Sequence, residues 1–227
     1  IEHVVYDGYV RRFPIVPIRP LLFADVVKLR FWERRVWKRA DGVIAVSRED
    51  AREISAITGT DRVSVVPNAV AVSEFQFTPK KTCSAHAPAF LFVGNFSWVQ
   101  NRDAVEFVRD RVWPVIRKQY PNGTFYIVGK NMADRMKRRL TGGGIVLRED
   151  VADIRTEFAK ADIFIAPIQI GGGTKFKILE AMAAGVPVVT TQKGVEGLEL
   201  VPGRELLVAT NWDTIGQTVE RLLTDNA

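Results

Sequence analysis

The 227-residue chain with 47% apolar side chains is long enough to bury one large core, or one complete domain plus part of another, which excludes a disordered chain. Its formal charge of +6 admits an anionic partner such as nucleic acid, an acidic membrane surface or a phosphorylated substrate. The single cysteine, Cys83, excludes an internal disulfide and a thiolate metal cluster, so a reducing, cytoplasmic setting is expected.

No apolar run approaches the roughly 20 residues needed to span a bilayer. The start, Ile1-Glu2-His3, has neither an initiator Met nor a signal peptide, and a fragment of a larger protein is expected. In chain order, Val4 to Tyr6 reads as a strand, followed by a loop around Pro14, Pro17 and Pro20. A long amphipathic helix near 24–40 comes next, then a strand at Gly42 to Val46 and a short helix after Ser47. The long helix interleaves Lys28, Arg30, Arg34, Arg35 and Lys38 with Phe31, Trp32 and Trp37. It reads either as a solvated amphipathic helix or as a peripheral membrane contact with aromatics at headgroup level. A second basic cluster, Arg135 to Arg139, reads as a solvated face. With no recognition motif beside the charge, no nucleic-acid partner is expected.

From about residue 62, short β-branched runs alternate with helical segments, the pattern of a doubly wound α/β domain with a parallel sheet. The expected strands are Val63 to Val66, Phe90 to Val93, Phe125 to Val128, Ile145 to Leu147, Ile163 to Ala166, Pro187 to Thr190 and Leu206 to Ala209. Helices are expected at 101–119, 131–140, 151–160, 174–184 and 211–224. Residues 1–66 are read as the end of a preceding domain, 67–227 as the doubly wound one, and Glu74 to Pro88 as a polar loop. Ligands of such sheets bind beyond the carboxyl ends of the strands.

The strongest local signal is Ile163-Phe-Ile-Ala-Pro167, then Ile168-Gln169-Ile170, then Gly171-Gly172-Gly173, and then Thr174-Lys175-Phe176-Lys177-Ile178-Leu179-Glu180. A strand empties into a loop without side-chain bulk and a helix begins at once, with Thr174 as its N-cap. Backbone amides and the positive end of the helix dipole then make an anion site. Three successive glycines exceed what a tight turn needs, and Lys175, opposed to the dipole, makes sense with a phosphate between them. Glu180, among apolar neighbours, needs hydrogen-bond donors, which sugar hydroxyls or Lys177 would supply. After the strand at 90–93, Gly94-Asn95-Phe96-Ser97-Trp98 has one glycine where a dinucleotide fingerprint has three, so a Rossmann dehydrogenase is disfavoured. Gly94 lets backbone approach a ligand or simply turns, and Asn101 opens the next helix. Gly129-Lys130 is a weaker strand-end glycine. His3 and His86 are the only histidines; His86 reads as a bystander, and no Ser/His/Asp arrangement is present. No metal site and no cofactor are expected.

The motifs Ala40-Asp41-Gly42-Val43-Ile44-Ala45-Val46-Ser47, Val65-Val66-Pro67-Asn68-Ala69-Val70, Phe92-Val93-Gly94, and Gly171 to Glu180 running into Ala181-Met182-Ala183-Ala184-Gly185-Val186-Pro187 stand in one order. Together they resemble the family 4 glycosyltransferases of GT-B fold, with a closer likeness to bacterial sugar transferases of polysaccharide assembly. The resemblance implies a Rossmann-like donor domain preceded by a remnant of the acceptor-binding domain. It also implies retaining transfer of a hexose-like sugar from a nucleotide diphosphate sugar to a glycan or lipid-linked acceptor, in the cytoplasm or peripherally on the inner face of the membrane. By resemblance Gly172, Gly173, Thr174 and Lys175 bind the diphosphate, with Gly94 and Asn95 facing the same pocket. Glu180 holds the ribose, Val151 lies by the nucleobase, and Lys175 and Glu180 carry the chemistry. Two positions depart from the family pattern. Gly172 stands where a first glutamate precedes the second by eight positions, and Asn95 stands where a basic residue often follows the glycine. The alternatives are a nucleotide-sugar epimerase of the same fold and a non-catalytic nucleotide-binding module.

Overall fold

A computed structural model describes residues 1–75 and 87–224. Cys83, His86 and most of the expected polar loop lie outside the described residues. The chain forms two compact units: one of Ile1–Asn68 with Ile170–Lys175 and Val195–Glu199, the other of Ala69–Gln169, Phe176–Gly194 and Leu200–Ala227.

In the first unit, helix α1 (Glu2–Arg12) and helix α2 (Arg19–Arg39) pack together, followed by β1 (Val43–Ala45), α3 (Arg48–Thr58) and β2 (Val63–Val65). The strand expected at Val4 to Tyr6 is instead part of α1. β-Branched propensity there is overridden by a distant cap, because Glu33 of α2 accepts from the amides of Glu2 (2.7 Å) and His3 (3.4 Å) and from the His3 ring. Pro20, placed by the sequence in a loop, sits in the first turn of α2, where its missing N–H costs nothing. Helix α3 carries a full set of end signals: Ser47 Oγ accepts from the amide of Asp50, and Gly59 closes the helix in a left-handed conformation. Strand β2 pairs in parallel with β1, Val43 opposite Val63. The expected strand at 63–66 therefore belongs to a two-stranded sheet and not to the doubly wound one.

The second unit is Rossmann-like. Six parallel strands, β3 (Ala89–Asn95), β4 (Thr124–Lys130), β5 (Ile145–Glu149), β6 (Ile163–Ala166), β7 (Val188–Thr190) and β8 (Leu207–Val208), stand in the order β5-β4-β3-β6-β7-β8. The connecting helices are α4 (Val99–Phe107), continued through a π-turn at Val108–Val112 into α5 (Trp113–Gln119), then α6 (Asp134–Leu140), α7 (Arg155–Lys160), α8 (Phe176–Ala183), the short α9 (Gln192–Val195) and α10 (Ile215–Thr224). Central strands buried on both faces read as unbroken apolar runs, and all four residues of β6 are buried. Across the β3/β6 seam, Phe92 and Phe164 stack with ring centroids 6.5 Å apart, an arrangement worth about 0.5–1.5 kcal/mol beyond area burial. Strand order reverses between β3 and β6, so the crevice of this sheet opens where Gly94-Asn95 and Pro167 leave them.

Candidate functional site

In the second unit, the carboxyl end of β3 is built from close backbone approach. Gly94 lies opposite Gly129 in the register, and a Cβ at Gly129 would stand 1.7 Å from the Gly94 carbonyl oxygen. A Cβ at Gly94 would meet the Asn101 side chain at 2.9 Å. Asn101 does not open the following helix as expected: α4 starts at Val99, and Asn101 is buried within its first turn. Its Nδ2 donates to the Asn95 carbonyl (2.7 Å), while its Oδ1 accepts from Lys177 Nζ at 2.5 Å. The Lys177 ammonium also lies 4.4 Å from the centroid of the Phe92 ring, a cation–π contact. Sequence reasoning placed Lys177 beside Glu180 as a helix pair and missed that its hydrogen bond goes to Asn101.

Asn95 Oδ1 accepts from the amide of Ser97 (3.0 Å) and from Asn131 Nδ2 (2.9 Å). Asn131 and Asp150, at the ends of β4 and β5, hold positive φ of 61° and 51°, left-handed backbone that non-glycine residues adopt at a cost. The Asp150 amide donates to the Gly129 carbonyl at 3.0 Å. Glu149 pairs with Lys137 and accepts from the Met132 amide (2.9 Å), and the lysine first, then the amide, hold its carboxyl below the usual range. Val151 follows this pinned turn, half-buried.

Glu180 lies in the second turn of α8, half-buried, and among the described residues its carboxylate accepts no hydrogen bond. Burial pushes its carboxyl above the usual range, and the nearby Lys177 charge opposes the shift.

The glycine loop belongs to the first unit, at the carboxyl ends of β1 and β2. Asn68 Nδ2 donates to the Thr174 hydroxyl, and Gly197 packs against Thr174 and Ser47. Helix α8 begins at Phe176, so Lys175 and not Thr174 precedes it. The excess of glycine over a turn's needs also disappears. Gly171 and Gly173 have φ of 114° and 64°, and a Cβ at Gly172 would stand 2.8 Å from Val5 Cγ2.

Lys175 is buried and turns back on its loop, its ammonium donating to the carbonyls of Gly172 (3.2 Å) and Gly173. In a trans peptide the N–H points opposite the carbonyl. Carbonyls drawn onto the ammonium therefore turn the Gly173 and Thr174 amides away from it. Among the described residues, the amides of Gly171 to Thr174 donate to no protein acceptor. Also among them, no group of three or more His, Cys, Asp or Glu is placed to hold a metal ion, and no helix is long and apolar enough to cross a membrane.

A parallel sheet wound on both faces, with loops pinned at its switch point, defines the class: a Rossmann-like α/β domain. Residues 87–225 match the family described as glycosyl transferases group 1, and the chain belongs to that family. It is 30% identical over 129 residues to an uncharacterised 44.6 kDa protein of the cps region of Klebsiella pneumoniae, covering 53% of this chain and 33% of that one. It is 27% identical over 185 residues to the lipopolysaccharide core biosynthesis mannosyltransferase LpsB of Rhizobium meliloti, covering 76% and 51%. Among solved structures, Anabaena Alr3699/HepE in complex with UDP and glucose superposes with a TM-score of 0.68 at 16% identity, over 86% of this chain and 57% of that one, and shares its fold. The chain thus spans between a third and about half the length of these curated relatives.

Proposed function

We propose that this chain forms the donor-binding part of a glycosyltransferase that moves a hexose-like sugar, with retention, from a nucleotide diphosphate sugar to a glycan or lipid-linked acceptor of surface polysaccharide synthesis. In this reading the donor domain is 67–227 and 1–66 the end of the acceptor domain, although the loop Ile170–Lys175 packs in the same compact unit as Ile1–Asn68. The observation that carries the reading is the run of four amides, Gly171 to Thr174, which among the described residues have no protein acceptor and end one residue short of Lys175, the residue before α8. Such a run is a nest for an anion. Lys175 holds the loop carbonyls inward and adds a positive charge beside the leaving diphosphate. In this reading no metal is required, because amides and ammonium meet the developing charge.

Glu180, half-buried and without a hydrogen bond among the described residues, accepts from the ribose hydroxyls, which would stabilise its ionised form. Gly94, Asn95 and Val151 border the nucleotide at the ends of β3 and β5 by backbone rather than by charge. The relative LpsB is a mannosyltransferase by its name, and HepE holds UDP and glucose; both support this chemistry. The cysteine usage fits a cytoplasmic setting.

Calorimetry of the chain with UDP, GDP and ADP sugars tests the proposal. Binding of one class, weakened roughly tenfold or more by Lys175→Ala through loss of a charge-assisted contact, is expected. Absence of binding to all three would sink it, and conversion of donor by the complete protein without acceptor would mark an epimerase.

A further inference from the structure

Lys177 is the second residue of α8, where a cation opposes the helix dipole, and it is half-buried, where a cation loses solvent. Local helix chemistry gives no reason for a lysine at this position. The surroundings of its ammonium do. Asn101 Oδ1 accepts from it, and the fully buried Phe92 ring lies beneath it at 4.4 Å. Glu180 stands about one turn further along the same helix, at the i, i+3 spacing that puts two side chains on one face.

Asn101 extends the contact to the sheet. Its Nδ2 donates to the Asn95 carbonyl at 2.7 Å, and it lies so close to Gly94 that a Cβ added there would stand 2.9 Å away. Asn95 accepts through its own Oδ1 from Asn131 Nδ2 at 2.9 Å. One ammonium on α8 is thus joined, through amide side chains, to the carboxyl ends of β3 and β4. A buried amide facing an ammonium has one workable orientation, since the reversed one would aim its NH2 at the cation. Lys177 therefore decides that the donor end of Asn101, and not its acceptor end, meets the Asn95 carbonyl. All of these residues belong to the second unit.

We propose that Lys177 is a positioning residue of the donor site, orienting Asn101 onto the Gly94–Asn95 backbone and placing its charge near the Glu180 carboxyl. The inference rests on the reading of Gly94, Asn95 and Glu180 as the borders of the nucleotide and its ribose. Lys177 acts through these groups rather than by contact with the ligand. Through Asn101 it fixes the backbone that the nucleotide meets. Through space it favours ionised Glu180, because burial raises that carboxyl and the Lys177 charge opposes the rise. An ionised carboxylate can accept from both ribose hydroxyls, whereas a protonated one presents an O–H and is the weaker acceptor. A lysine that served only the packing of α8 would affect every ligand of the site alike.

The test is calorimetry of the complete protein with UDP, GDP and ADP, each beside its dideoxyribose counterpart, for the parent, Lys177→Met, Lys177→Arg and Asn101→Ala. The parent is expected to bind one of the nucleotides and to lose roughly tenfold or more in affinity when the ribose hydroxyls are removed. Lys177→Met should bind that nucleotide roughly tenfold more weakly and lose only about threefold or less on removal of the hydroxyls. Lys177→Arg, which keeps charge and donor, should restore most of the ribose discrimination. Asn101→Ala should weaken both forms alike, since it frees the Asn95 backbone and leaves the charge near Glu180. Circular dichroism checks that each variant is folded, and Lys177→Gln takes the place of Lys177→Met if the latter is not. Unchanged affinity in Lys177→Met, or equal losses for the ribose and dideoxyribose forms, would overturn the proposal and leave Lys177 a packing residue. A parent that binds none of the three nucleotides would instead bring down the donor-binding reading, and the inference with it. A parent that binds without any ribose penalty would remove the assignment of Glu180 and overturn the inference on that ground.

Discussion

Lys177 Nζ sits 2.5 Å from Asn101 Oδ1, a bond between residues 76 positions apart that ties the first turn of α8 to the helix following β3. Asn101 in turn holds the Asn95 carbonyl. The loop at the switch point of the sheet and the helix carrying Glu180 are thereby joined by one buried amide. A hydrogen bond to a charged group contributes about 1.5–3 kcal/mol. Lys177→Met and Asn101→Ala are each expected to destabilise the protein by an amount in that range. The double variant should lose less than the sum, leaving a coupling of about 1 kcal/mol or more in urea unfolding. Strict additivity would show that the contact carries no energy.

Glu180 gives a pH signature of opposite sign to a salt-bridged carboxylate. Its folded-state value is raised by burial, so its stabilising contribution is complete below the unfolded value of about 4.3 and is lost as pH rises through the raised folded one. Glu180→Gln removes that loss. The variant should match the parent in urea midpoint near pH 4 and exceed it near pH 7. The same substitution should weaken nucleotide-sugar binding by roughly tenfold, because a charge-assisted acceptor becomes a neutral one. Stability gained with affinity lost is the pattern of a group kept for function. A midpoint difference that is flat with pH would remove the electrostatic explanation.

The parts of the molecule legible in the sequence are those in which burial and local propensity agree. Ile163 to Ala166 reads as a central strand because every side chain in it is apolar and all four are buried. Val4 to Tyr6 misleads because its β-branched residues favour a strand, whereas Glu33, some thirty positions on, supplies the cap that makes a helix. The glycine loop was visible as a glycine loop. What each glycine does was not, since the neighbour of Gly172 is Val5, far off in sequence. Asn101 reads in the sequence only as a helix opener, and nothing in the spacing reveals that Lys177 lies against it. The positive φ of Asn131 and Asp150 had a faint signal, as Asn and Asp are the non-glycine residues that best tolerate that backbone.

Gly129 is irreplaceable on steric grounds. A methyl group there would stand 1.7 Å from the Gly94 carbonyl oxygen, and the obstacle is backbone of the neighbouring central strand, which cannot step aside without breaking the register. Gly129→Ala is expected to cost well above the roughly 1–3 kcal/mol of ordinary overpacking, read as loss of soluble folded protein or a large drop in urea midpoint. Gly8→Ala, within α1 where an added Cβ would meet nothing within 4 Å, should instead raise helix stability by about 0.5–1 kcal/mol. A mild effect at Gly129 would mean that the β3/β4 pairing is looser than the register shows.

Gly172 occupies the position where the family pattern places a glutamate eight residues before Glu180, so Gly172→Glu is the obvious attempt to restore a side-chain contact to the donor sugar. The structure gives a reason why it should fail alone. The new Cβ would stand 2.8 Å from Val5 Cγ2, on a stiff β-branched side chain of α1 that has no alternative rotamer free of cost. Gly172 itself does not have positive φ, so the obstacle is the neighbour and not the backbone. Gly172→Glu is expected to destabilise the protein by about 1–3 kcal/mol, and Val5→Ala, by removing the opposing methyl, should recover most of that loss in thermal unfolding. Rescue would show that α1 fixes the glycine at this position. Full stability of Gly172→Glu by itself would remove the steric account, and a loss that Val5→Ala leaves untouched would place its cause in the loop itself.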